Sequence, residues 1–128
     1  MTRLSRPVPP GPVKLLLVGA SILLTMNGPS LAQATSPATS AFNSCALLYN
    51  AGKTDEAIVA CDKAIALDPG KADAYFIKGS ALYGNGKIGP DGKYAVPPGT
   101  VDTLNKYLEL APDGGHAQDV HAMLDALK

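Results

Sequence analysis

A chain of 128 residues makes one domain at most, and with no Trp and 5% aromatic residues its core is thin. Eleven basic side chains balance eleven acidic ones, and removal of the N-terminal segment described next leaves an acidic excess. Neither state gives an electrostatic reason to meet nucleic acid or an anionic membrane surface.

Arg3, Arg6 and Lys14 precede the uncharged run Leu15–Met26. Asn27-Gly28-Pro29 break that run, and Ser30-Leu31-Ala32 put small residues three before and one before a cut after Ala32. Basic, apolar, breaker, small-x-small is the order of an export signal. The apolar run of 12 residues falls short of the ~20 that span a bilayer. Residues 1–32 therefore read as a signal peptide, with an uncleaved N-terminal anchor as the alternative. Processing leaves eight basic against eleven acidic side chains, a net charge of −3, and a mature form with no membrane span. Residues 33–39 read as a flexible tether.

A domain over 40–128 follows. Its first helix is expected from Ser40 to Ala51, with Ala41, Cys45 and Leu48 on one face and Phe42 and Tyr49 beside it. Gly52 ends it. Thr54 is the expected cap of the second helix, whose first turn holds Asp55 and Glu56 and which stops at Asp68-Pro69. A third helix runs from Lys71 to Tyr83 and closes at Gly84-Asn85-Gly86. Residues 87–99 then hold a Pro-Asp-Gly turn between short runs containing Ile, Tyr and Val, the pattern of a small β-hairpin. The fourth helix spans Thr100–Leu110 before Pro112. The last, His116–Leu127, offers Val120, Met123, Leu124 and Leu127 for packing and turns Gln118, Asp119 and Asp125 outward.

These helices repeat. At an offset of 34, Phe42 falls on Phe76, Leu48 on Leu82, Tyr49 on Tyr83 and Gly52 on Gly86. Beyond Lys87 the offset becomes 43, with Lys63 on Lys106, Leu67 on Leu110 and Pro69 on Pro112. The difference of nine residues is an insertion. A period near 34 describes stacked helical hairpins that share one core.

The pattern resembles tetratricopeptide repeats, as in exported bacterial proteins. The first unit supplies Ala41, Ser44, Cys45 and Leu48, then Ala57, Cys61, Ala64 and Pro69. The second supplies Tyr75, Lys78, Gly79 and Leu82, then Thr100, Leu104, Tyr107 and Pro112. The resemblance implies an all-α array of five helices: repeat 1 over 40–70, repeat 2 over 71–113 with the insertion 87–99, and a capping helix over 116–127. Ala41 stands where a large aromatic is usual, and Lys78 where Leu is usual; the lysine stem can lie on the core while its ammonium reaches water. The resemblance also implies a protein or peptide partner on the concave face. The matching residues are Phe42, Asn43, Ala46, Tyr49 and Asn50, then Phe76, Ile77, Ser80 and Tyr83, with Asp119, Val120 and Met123 from the capping helix. Many of these can equally serve packing between helices. The Lys/Arg-plus-Asn set that holds a C-terminal carboxylate in chaperone-binding members is missing, and Lys78 is the basic residue expected near this face.

Cys45 and Cys61 lie eight residues either side of Lys53, at matched height on facing stripes of one hairpin. In an exported chain that is a reasonable disulfide. The other reading is two small buried apolar residues. His116 and His121, five apart, do not share a helix face, and His121 can meet Asp125 at a spacing of four. No phosphate loop, Ser-His-Asp set or paired acids in an apolar pocket can be picked out. The expected function is a non-enzymatic interaction module, periplasmic or secreted, with no cofactor and no metal. A structural subunit docked permanently in a larger envelope complex is the alternative.

Overall fold

Ser36 starts the first helix. Its hydroxyl accepts the Thr39 N–H at 3.1 Å, and Pro37 follows at the position where a helix does not need the missing N–H. In the computed structural model, which describes residues 34–128, helix α1 therefore runs Pro37–Asn50. Residues 37–39, expected in the tether, are its first turn. The signal peptide expected over residues 1–32 lies outside the described residues.

Helix α1 ends at Gly52, where φ is +74°. The Gly52 N–H bonds back to Tyr49 O and the Lys53 N–H to Leu48 O, a pairing that needs a left-handed residue. Helix α2 (Thr54–Leu67) begins with Asp55 and Glu56 against the positive end of its dipole. Thr54 is not its cap: it is already helical, and its hydroxyl donates to Gly52 O at 3.4 Å. Asp68 ends α2 with extended backbone (φ −142°, ψ 87°), as its following proline requires. Helix α3 spans Ala72–Gly84, α4 Thr100–Leu110 and α5 Ala117–Ala126. Ala111, one repeat beyond Asp68 and also before a proline, has φ −142° and ψ 68°. The two hairpins thus end alike.

Each helix packs on the next, and α1 also touches α3. Among the described residues the only sheet is the insertion: β1 (Lys87–Ile88) pairs antiparallel with β2 (Tyr94–Ala95), Ile88 opposite Tyr94. Its turn closes with the Gly92 N–H on Gly89 O at 3.0 Å, around Pro90 and Asp91. The protein is an all-α array with a small β insertion.

That insertion is fastened through its second strand and at its exit. The Tyr94 hydroxyl donates to Tyr83 O at 2.5 Å while its ring lies 5.2 Å from the Tyr83 ring, tilted at 56°. The buried Thr100 hydroxyl donates to Pro97 O at 2.7 Å. Tyr94→Phe removes one bond and leaves the Tyr83 carbonyl without that donor. We expect about 1 kcal/mol of lost stability, and amide exchange that quickens over 87–99 while the helices hold their protection. Unchanged exchange in that segment would mean that the tyrosine does not fasten it.

The core has two parts. Leu104, Tyr107, Ala117 and Val120 form the larger, with Tyr75, Phe76, Leu108, Met123 and Leu124 packed around it. Ala41, Ala64 and Ala74, flanked by Phe42 and Ile65, form the other. The first hairpin thus has small side chains inside, and a Cys45–Cys61 disulfide joins its two helices, with Cα atoms 4.8 Å apart and both residues fully buried. The disulfide reading of the two cysteines holds. Where the first hairpin has this bond, the second has Gly79 against Leu104. A Cβ on Gly79 would stand 2.5 Å from Leu104 Cδ2, so the two helices meet here only because Gly79 has no side chain. Lys78 behaves as its chemistry suggests: it is half-buried, and its ammonium reaches Asp62 on α2 at 2.5 Å.

Candidate functional site

Because α1 and α3 lie side by side, they border one groove of about 320 Å³. Phe42, Ala46, Tyr49 and Asn50 line it from α1, Asp73, Phe76 and Ile77 from α3, and His116 from the start of α5. Helical spacing explains the first two sets: residues three and four apart share a face. The His116 ring stacks on Phe76 at 3.9 Å, nearly parallel (5°), and its Nδ1 lies 3.7 Å from Asp119.

His116 is positioned from below. The fully buried Tyr107 sends its hydroxyl back to accept the His116 N–H at 3.0 Å. Gly114 lies against that same hydroxyl, where a side chain would collide with it. Phe76 also borders Tyr107, with ring centroids 5.7 Å apart and planes at 54°. The groove floor is therefore continuous with the larger core, whereas Tyr49 and Asn50 are exposed at the rim.

Six of the nine concave-face residues implied by the resemblance line this groove: Phe42, Ala46, Tyr49, Asn50, Phe76 and Ile77. Three do not. Asn43 is exposed on α1 outside the groove. Ser80 is half-buried on α3, and its hydroxyl oxygen is buried with no partner among the described residues. Tyr83 is covered by the insertion through Tyr94. From the capping helix, Val120 belongs to the core and Met123 packs against it, while Asp119 reaches the site only through His116. Asp73 and His116 were not anticipated. Nor was the nearby cation: it is Lys71, 4.6 Å above the Phe42 ring, whereas Lys78 is spent on Asp62.

Among the described residues two titrating groups are displaced, and both belong to exposed pairs. The hydrogen bond from Lys106 to Glu109 pushes the lysine up, and the hydrogen bond from Lys128 to Asp125 holds that carboxyl down. Asp125 thus meets Lys128, within hydrogen-bond distance, in place of a bond to His121. A second depression, about 400 Å³, lies between α4 and α5 and is bordered by Val101, Leu108, Leu124 and Leu127, with His121 but no Phe or Tyr. Among the described residues no helix is long and apolar enough to cross a membrane, and no three His, Cys, Asp or Glu side chains are grouped to hold a metal. Comparison of the chain with protein-family models, with curated proteins and with solved structures gives no match.

Proposed function

We propose that this chain is an exported, non-enzymatic binding module of the cell envelope. In this reading it is a tetratricopeptide-like array of two hairpins and a capping helix that holds a peptide or a partner's helix in the groove between α1 and α3. The observation that carries this is convergence. Phe42 and Phe76, 34 apart in the chain, come together with Tyr49 and Asn50 in one open groove. Rigid aromatic faces beside an amide give contact area at little conformational cost, as interface anchors do. Export is supported by the N-terminal order of residues and by a buried disulfide, which persists in oxidising compartments.

A photo-crosslinking residue in place of Tyr49 tests the reading. Expressed in its native envelope, the Tyr49 variant is expected to yield a discrete adduct, and the same residue at the exposed Asp102 on α4 to yield none. Adducts at Asp102 alone would move the site off the groove. Tyr49→Ala is the companion variant. Phe76 is less suitable, because it is packed into the core and its loss perturbs more than the groove.

One observation favours permanent docking in a larger assembly instead. Leu47 and Val59 are about 70% exposed, Leu47 69% and Val59 70%, on the outer faces of the first hairpin. A purified chain that self-associates, and becomes monomeric on Leu47→Lys, would support that alternative. A chain that stays monomeric over a wide concentration range would set it aside.

A further inference from the structure

We infer that the groove between α1 and α3 selects a basic side chain, a lysine or arginine of an extended peptide, whose cation rests on the aromatic rim beside Asp73. The inference rests on the groove being the binding site, and it names what enters. Among the residues that line the groove, Asp73 carries the formal negative charge and no lysine or arginine is present. A second carboxylate, Asp119, stands behind the His116 ring at 3.7 Å from its Nδ1. The nearest cation, Lys71, lies over Phe42 and lines a neighbouring depression with Ser36, Thr39 and Asp68. Its ammonium approaches Asp73 at 3.7 Å with both side chains about half exposed, a weak pair that a ligand cation can displace or share.

Lys71 also shows the chemistry at work within the molecule. An ammonium 4.6 Å from an aromatic centroid, with a carboxylate beside it, is the arrangement that a ligand cation would find on the groove side. Tyr49 at the rim and Asn50 next to it offer a ring face and an amide to a planar or flexible cation. An acidic peptide would meet the Asp73 carboxylate in a groove whose lining offers it no lysine or arginine. The net charge of −3 after processing adds a long-range preference of the same sign.

Panning a random heptapeptide library on phage against the purified full-length chain, with Cys45–Cys61 oxidised, tests the inference. Peptides enriched in Arg or Lys are expected. Binding of a selected synthetic peptide should fall about tenfold in Asp73→Asn and in Tyr49→Ala, and stay unchanged in Asp102→Asn, with circular dichroism preserved in all three. Enriched peptides that lack basic residues, or that are acidic, yet lose binding in Tyr49→Ala would overturn the cation preference and leave the groove reading intact. Peptides whose binding survives both Tyr49→Ala and Asp73→Asn, or no enrichment at all, would overturn both.

Discussion

Replacing both cysteines, Cys45→Ala with Cys61→Ala, is expected to lower the unfolding free energy by about 3 kcal/mol. The bond closes a loop with a sequence separation of 16, and it sits where the first hairpin has alanines for a core. For a domain of this size, whose whole stability is on the order of 5–15 kcal/mol, that is a large share. The second hairpin indicates how to recover part of it. At offsets of 34 and 43 the two cysteines fall on Gly79 and Leu104, a small residue receiving a large one. Cys45→Gly with Cys61→Leu copies that arrangement into the first hairpin. Burying the leucine contributes roughly 1.5–3 kcal/mol, and glycine inside α1 costs about 1. The pair should therefore stand about 0.5–2 kcal/mol above the double alanine variant in urea unfolding at constant m value. If the double alanine variant melted like the oxidised chain, the bond would be incidental to stability. If the Gly/Leu pair stood no higher than the alanines, the two hairpins would not be equivalent at this height.

The helices could be read from the chain because their stops are local. Gly52 with its positive φ, the prolines 69 and 112, and Gly84-Asn85-Gly86 act on the backbone next to them, whatever packs elsewhere. The start of α1 was read three residues late for a related reason. Ser36 and Pro37 form a cap that stands outside the apolar periodicity, so a composition rich in Ser, Thr and Pro looked like a tether. The groove was legible in part. Residues on α1 and α3 follow from helical spacing once the repeat is recognised, and Phe42, Tyr49, Asn50 and Phe76 line it. Tyr83 lies outside the groove because Tyr94 covers it, and a resemblance to uninterrupted repeats carries no information about an inserted hairpin. His116 was missed because no pattern places it. A buried hydroxyl nine residues earlier holds its backbone, and a glycine gives that hydroxyl room.

Leu104→Ala is expected to cost about 3–4 kcal/mol, since Leu104 is fully buried at the centre of the larger cluster and its loss leaves a cavity against α3. Gly79→Ala alone should cost less. A Cβ there meets Leu104 Cδ2 at 2.5 Å and Cγ at 3.0 Å, and a buried leucine with neighbours on every side can rotate away only by disturbing them. Overpacking of that kind costs about 1–3 kcal/mol, partly offset by the gain of about 1 kcal/mol from replacing glycine inside a helix. The informative variant combines the two. With Leu104 shortened, the new methyl on residue 79 has nothing to strike, fills part of the cavity and keeps its helical advantage. The double variant should therefore be more stable than additivity predicts, and no less stable than Leu104→Ala alone, with a coupling of about 1–2 kcal/mol in a double-mutant cycle. Strictly additive losses would mean that α3 and α4 are spaced by contacts other than this one. A positive coupling would establish Gly79 as the position that sets how closely the second hairpin closes.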